Sequence, residues 1–193
     1  MKLDHHVKNA VYVLLYIGLS QIMDQTIISL IGILIYCKFL KNQIETIDFK
    51  KVLKALISGF ACASLTLVLT YLLSDYVVSA NQLLINQRII KYPVYAFFTI
   101  VIIAPVVEEL VFRGIVQKWV QITMSKFASI LLVSLIFAWL HIRTTDQIVF
   151  LPIYMITSLV SGYMYEKHNN ITYSIVIHFV VNFVGFWFYF FIH

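Results

Sequence analysis

Charge is scarce in this sequence. Only 12% of its 193 residues are charged, whereas 61% are hydrophobic and the mean hydropathy is +0.89. Such a composition excludes a soluble domain. No polar stretch is long enough to fold alone, so we expect residues 1–193 to form a single transmembrane domain.

Cysteine is scarce as well. Cys37 and Cys62 are the two cysteines, and they lie in separate apolar segments with neither a metal-ligand spacing nor a disulfide framework. The sequence has no H-E-x-x-H, no G-x-S-x-G and no pair of aspartates within apolar segments. The net charge of +5 does not indicate nucleic acid, because the positive residues lie in short loops, as membrane topology requires.

Seven apolar segments predict an all-α fold, a polytopic transmembrane bundle of about seven membrane-spanning helices. The segments are Ala10–Met23, Thr26–Leu40, about Val52–Leu73, Pro93–Val120, Phe127–His141, Ile148–Tyr165 and Ile171–Ile192. The N-terminus has no small-residue cleavage site, so we expect the first segment to be retained. The first two segments could form one long helix, but a hairpin is favoured because it leaves Asp24 at a membrane interface.

Between the third and fourth segments, Ser74–Tyr92 is of mixed composition and predicts a short interfacial helix. Pro93 suits the first turn of the fourth segment. Pro105 should kink that segment one turn before Glu108 by removing the partner of the Val101 carbonyl, and Pro152 should kink the sixth segment near its start.

The lysines and arginines predict the orientation. If the N-terminus is inside, eleven lysines and arginines lie on the inner side and three on the outer side. Without Arg113 the inner count is ten. The inner set is Lys2, Lys8, Lys38, Lys41, Lys50, Lys51, Lys54, Arg113, Lys118, Lys126 and Lys167, and the outer set is Arg88, Lys91 and Arg143. The C-terminus is then expected outside.

The fourth segment carries adjacent glutamates within an apolar run, A-P-V-V-E-E-L-V-F-R-G from Ala104 to Gly114. A charge at membrane depth costs about 3 kcal/mol per residue even on the lenient insertion scale. On a helix Glu109 and Arg113 share a face and can pair, while Glu108 lies about 100° away and is left free. A structural alternative is that the pair locks helices together while the second glutamate reaches water.

Two further segments carry polar residues. Phe137 and His141 lie one turn apart at the end of the fifth, and His178 and Asn182 share a face within the seventh. Each residue alone has a simpler explanation. His141 could lie exposed at the membrane interface, and His178 or Asn182 could make an interhelical hydrogen bond worth about 0.6 kcal/mol. The whole set is better explained by chemistry. A buried carboxylate can act as a general base near neutral pH, imidazole can share a water with it, and an N–H can stabilise an oxyanion.

These residues resemble the motifs of the CAAX protease and bacteriocin-processing family of intramembrane glutamate endopeptidases (CPBP, also called Abi). E-E-x-x-x-R is formed by Glu108, Glu109 and Arg113, F-x-x-x-H by Phe137 and His141, and H-x-x-x-N by His178 and Asn182. Phe112, Gly114, Ser134 and Gly162 also stand at the family's usual spacings. The resemblance covers roughly residues 90 to 190, which we expect to be the catalytic core.

The resemblance implies that Glu108 and His141 activate the attacking water and that His178 and Asn182 stabilise the oxyanion. Glu109 and Arg113 would orient the site, with Phe137 in support. Two histidines and a glutamate could bind zinc. A mechanism with neither metal nor cofactor is favoured, because Asn182 is a poor zinc ligand and a good donor.

The function expected from this resemblance is an intramembrane peptidase acting on a peptide or protein substrate reached from the membrane. Bacteriocin or signalling-peptide processing, or self-immunity, is favoured because the composition is rich in Lys, Ile and Asn and suits a low-GC bacterium. A multi-pass protein of a bacterial, Gram-positive cytoplasmic membrane is therefore expected. The alternatives are a non-catalytic immunity or scaffold protein and, less favoured, an ion or proton pathway. The sequence does not indicate an oligomeric state.

Overall fold

The computed structural model describes residues 47–73, 79–142 and 144–192, and this part of the chain is all-helical. Its six main helices are α1 (Phe49–Leu73), α2 (Ala80–Lys91), α3 (Pro93–Val120), α4 (Lys126–Leu140), α5 (Leu151–His168) and α6 (Ile171–Ile192). A 3-10 helix, Thr145–Phe150, leads into α5.

The predicted transmembrane bundle is confirmed as an all-helical fold, whereas the number seven is not. Within the described residues, four helical spans are long and apolar enough to cross a membrane: α1, α3, the 3-10 helix together with α5, and α6. α4 is apolar but has only 15 residues. The first two predicted segments lie outside the described residues. The mixed stretch between the third and fourth segments contains α2, a 12-residue helix.

Local sequence explains most helix ends. Ser79 and Ser125 cap α2 and α4 by accepting backbone N–H groups three residues later. Pro93 stands in the first turn of α3, as predicted. The kink expected at Pro152 is wrong: this proline lies in the first turn of α5, where its missing N–H costs nothing, so the helix begins there instead of bending.

Helix α3 does not follow a regular α-helical path. Its hydrogen bonding is π-helical over Phe97–Ile103 and again over Leu110–Gln117, and both glutamates lie in the α-helical stretch between them, Ala104–Glu109. The amide N–H of Ala104 bonds to the carbonyl of Thr99, five residues back. Pro105 has no amide N–H to continue this register, in which its acceptor would be the carbonyl of Ile100, five residues back. The loss of a partner for the Val101 carbonyl stays a prediction.

Helix α6 is central to the described bundle because it packs against α1, α3 and α5. Gly59 lets α1 approach it closely, since a Cβ at that position would lie 2.8 Å from Cβ of Val180. A cluster of buried apolar side chains joins α3 to α4, α5 and α6. Its members are Val107, Leu110, Val111, Phe112, Ile115, Val116, Val133, Phe137, Tyr165 and Ile171.

Several basic helix ends lie together at one end of the bundle. The Lys126 ammonium is 2.6 Å from Glu166 at the end of α5, and Lys118 lies over the ring of Tyr165. At this end too, the backbone N–H of Asp48, before α1, bonds to the Tyr173 hydroxyl in the first turn of α6. Lys118 and Lys126 both belong to the predicted inner set; their orientation in a membrane stays a prediction.

Candidate active site

The centre of the candidate site is a fully buried arginine. Arg113 is 0% exposed and donates from Nε to Glu109 Oε2 at 3.0 Å and from Nη1 to Gln117 Oε1 at 3.2 Å. Its Nη2 donates to both the carbonyl and the hydroxyl of Ser158 on α5. The guanidinium is therefore held on every nitrogen, and the pair predicted from the i, i+4 spacing is present.

Gly162 makes room for this arginine. A Cβ at position 162 would lie 2.9 Å from Arg113 Nη1 and 3.2 Å from Gln117 Oε1. The side chain of Gln117 also reaches the carbonyl of Gly162 at 3.4 Å. The glycine is thus required by a close approach of α3 and α5.

Both oxygens of Glu109 are engaged. Oε2 accepts from Arg113, and Oε1 lies 3.0 Å from Nδ1 of His178 on α6. A carboxylate can only accept here, so Nδ1 of His178 carries the proton. Glu109 is 1% exposed. It therefore connects α3 to α6 and is shielded from water.

Glu108 has a different environment. Its Oε2 is buried and has no hydrogen-bond partner among the described residues. Nε2 of His178 lies 3.8 Å from Oε2 of Glu108. The imidazole of His178 therefore stands between the two glutamates, bonded to one and facing the other.

His141 lies at the C-terminal end of α4. Its Nδ1 is 2.8 Å from the carbonyl of Phe137, and because a carbonyl only accepts, Nδ1 is the donor. In the neutral ring Nε2 is then an acceptor. The imidazole packs between two aromatic rings, Phe137 at a centroid distance of 4.5 Å and Tyr154 at 4.9 Å. The Phe137 ring also contacts His178, edge to face.

Asn182 is hydrogen-bonded to the disturbed part of α3. Its Nδ2 donates to the carbonyl of Ile100 at 2.9 Å, five residues before Pro105. The bond satisfies a backbone acceptor that would otherwise be costly to bury. An amide nitrogen carries two hydrogens, so one N–H of Asn182 remains for another acceptor.

One cavity of about 460 Å³ brings the motif residues together. Glu108, Phe137, His141, His178 and Asn182 all line it, whereas Glu109 and Arg113 lie behind its wall. All six main helices contribute to the lining, and the further residues include Thr66, Gln82, Asn86 and Tyr154. Every site residue that the sequence predicts therefore lines the cavity or supports a residue that does.

Sequence reasoning missed three residues of this site. Gln117 could have been found, because it is four residues from Arg113 and so shares its face. Ser158 is a small polar residue in an apolar helix and gave only a weak signal. Tyr154 gave none, since an aromatic residue is ordinary in such a segment.

The described residues contain no group of three His, Cys, Asp or Glu side chains arranged to hold a metal ion. The zinc set considered from the sequence, Glu108, His141 and His178, is thus not assembled as a ligand cluster. Nδ1 of His178 is engaged by Glu109, and Nδ1 of His141 by a backbone carbonyl.

Comparison with known families identifies the same region. Residues 90–184 match the family model described as type II CAAX prenyl endopeptidase, Rce1-like. The matched region contains all three motifs and α3, α4, α5 and most of α6. Comparisons with curated proteins and with solved structures find no match for this chain.

Proposed function

The chain belongs to the Rce1-like family of type II CAAX prenyl endopeptidases, and from that premise we propose that it hydrolyses peptide bonds by water activated at Glu108. The contrast between the two glutamates carries this assignment. Glu109 uses both oxygens to hold Arg113 and His178, whereas Oε2 of Glu108 has no hydrogen-bond partner in the described structure and the residue lines the cavity. Glu108 is the carboxylate that can take a proton.

In the proposed mechanism, Glu108 and His141 hold the attacking water. The Glu108 carboxylate and Nε2 of His141 are two acceptors, one for each proton of the water, so a lone pair of the water is left to attack the substrate carbonyl. Glu108 takes the first proton and delivers it to the leaving amine. General base catalysis of this kind contributes roughly 10²- to 10⁴-fold in rate.

His178 and Asn182 are proposed to stabilise the oxyanion. Two carboxylates and one guanidinium leave one buried negative charge, which His178 balances in its imidazolium form. That form donates Nδ1–H to Glu109 and carries a second N–H on Nε2, which lies 3.8 Å from Glu108 Oε2 in the cavity wall. The remaining N–H of Asn182 is the second donor, and its bond to Ile100 fixes the amide in place.

We propose that the reaction needs no metal. The cavity offers donors for the oxyanion and acceptors for the water from its own side chains. A zinc ion would need both Nε2 atoms and Glu108 to converge on one point at about 2.0–2.2 Å.

The proposed setting is the cytoplasmic membrane of a Gram-positive bacterium, and the proposed substrate is a bacteriocin or signalling peptide. The Lys-, Ile- and Asn-rich composition supports a low-GC bacterial source, in which prenylated proteins are not expected. Self-immunity is a related role that would use the same site.

The test uses the purified protein in lipid nanodiscs with three internally quenched peptides. One is a farnesylated peptide ending in Cys-aliphatic-aliphatic-X, the second is the same peptide without farnesyl, and the third carries a double-glycine leader. We expect cleavage of at least one peptide, identified by mass spectrometry, and preference for the third if the proposed substrate is right.

The matched control is a carboxylate outside the cavity. Asp146→Asn makes an acid-to-amide change at an exposed residue of the 3-10 helix and should retain turnover. Glu108→Ala should lose turnover at the same protein level. Failure of the wild type to cleave any of the peptides would favour the non-catalytic immunity or scaffold role.

A further inference from the structure

Tyr154, a residue outside the three motifs, contacts the imidazole of His141. It lies in the first turn of α5, and its ring is stacked on His141 with a centroid distance of 4.9 Å and an interplanar angle of 29°. Phe137 covers the imidazole at 4.5 Å. The histidine is thus held in an aromatic sandwich with one polar anchor, the bond from Nδ1 to the Phe137 carbonyl.

The position of His141 explains why such a sandwich is needed. The residue caps the C-terminal end of α4, where helices fray, and the chain beyond it continues into a loop and a 3-10 helix. The backbone alone therefore constrains the imidazole less than it would in mid-helix. Aromatic packing on both faces fixes the plane of the ring, and the Nδ1 bond fixes its rotation.

Tyr154 is itself anchored at its other end. Its hydroxyl oxygen lies 2.8 Å from Oγ of Ser79, and Ser79 is the residue that caps α2 by accepting the N–H of Gln82. α2 forms a wall of the same cavity through residues that include Gln82, Asn86 and Ile89. Tyr154 therefore connects the start of this wall to His141.

We propose that Tyr154 is a positioning residue, which holds the imidazole of His141 with Nε2 facing the cavity and is itself fixed by Ser79 at the start of α2. The inference rests on the proposed function in one respect: the role of His141 in holding the attacking water. The geometry of the ring can be tested independently of turnover.

The first experiment is spectroscopic and needs no substrate. Histidine is labelled with ¹³C and ¹⁵N, and the His141 ring signals are assigned by their loss in His141→Gln. In the wild type, ring currents from two flanking aromatics should shift these proton resonances. Tyr154→Leu should move them back toward the values of an unstacked histidine, whereas Tyr154→Phe should largely preserve them. The control, Tyr163→Leu, replaces an exposed tyrosine of the same helix and should leave them unchanged.

The second experiment measures kinetics with whichever of the three quenched peptides the wild type cleaves. Tyr154→Leu should lower kcat at least tenfold with little change in KM and alter the pH profile of kcat, while Tyr163→Leu should not. Tyr154→Phe and Ser79→Ala should each lower kcat less. The double variant should behave like Ser79→Ala, because both changes remove the Tyr154–Ser79 hydrogen bond and Ser79→Ala also removes the cap of α2.

The outcomes separate the two proposals. Unchanged His141 resonances in Tyr154→Leu, or a wild-type kcat and pH profile, would overturn the positioning role even where Glu108 remains essential. Absence of any peptide turnover by the wild type would contradict the proposed function, and the spectra would still decide the role of Tyr154.

Discussion

Gly162→Ala tests whether the close packing of α5 against Arg113 stabilises the protein. The added methyl group would lie 2.9 Å from Arg113 Nη1, 3.1 Å from Ile130 Cγ2 and 3.2 Å from Gln117 Oε1. The guanidinium cannot move without loss, because it is buried and each nitrogen is hydrogen-bonded. Relief of the overlap therefore requires at least one of those bonds to break or lengthen.

The magnitude follows from two opposing effects. Loss of one hydrogen bond to a charged group costs about 1.5–3 kcal/mol. Alanine in place of glycine within a helix gains about 1 kcal/mol. The net loss of stability is then about 0.5–2 kcal/mol, or roughly 1–8 °C in Tm for a chain of this length. Activity should fall too, because Arg113 holds Glu109 and Glu109 holds His178.

Gly185→Ala is the matched control for stability. Gly185 lies within α6, and a Cβ there would meet no atom within 4 Å. The Gly185→Ala variant gains the same helix propensity without the overlap. The difference in unfolding free energy between the two variants therefore gives the penalty at Arg113, about 1.5–3 kcal/mol. The assay is thermal unfolding of both variants in one detergent, followed by circular dichroism. Equal or higher Tm for Gly162→Ala than for Gly185→Ala would refute the argument.

Three further predictions concern the oxyanion donor, the supporting glutamate and the topology. Asn182→Ala should lower kcat roughly a hundredfold or more with little change in KM. A chelator should leave wild-type turnover intact. Stoichiometric zinc in active protein, with activity following its removal and return, would contradict the metal-free mechanism. Glu109→Gln should lower the yield and thermal stability of the protein as well as its activity, because loss of one partner of a buried pair costs about 3–5 kcal/mol. A purified variant as stable as the wild type would show that Glu109 does not stabilise the fold. With the N-terminus inside, a cysteine introduced at position 80 should be labelled from outside and one at position 45 should not; the opposite pattern would reverse the orientation and exclude the hairpin at Asp24.

Local spacing was enough to predict the contacts within one helix. Glu109 and Arg113 are four residues apart, and the structure pairs them as that spacing indicates. The same argument left Glu108 outside the pair, which agrees with its position at the cavity. Contacts between helices were not accessible in this way. That His178 reaches both glutamates depends on the packing of α6 against α3, which no periodicity in either segment encodes.

The prolines show where sequence reasoning ends within a helix. Pro105 predicts a kink before Glu108, and that kink stays a prediction; the structure shows π-helical bonding over Phe97–Ile103. The shift from i−4 to i−5 bonding has no signal in the apolar run. Asn182 could therefore be predicted as a site residue but not as the partner of Ile100. Similarly, Pro152 was read as a kink because the apolar segment begins at Ile148, before the α-helix itself.

The central claim is that Glu108 is the base that activates water. The most direct measurement is the single-turnover rate of purified Glu108→Gln with a peptide that the wild type cleaves, at matched protein concentration and with Tm recorded for both. Because general base catalysis contributes roughly 10²- to 10⁴-fold, we predict a loss of that size with the fold intact. A correctly folded Glu108→Gln protein that cleaves the peptide at near the wild-type rate would contradict the claim.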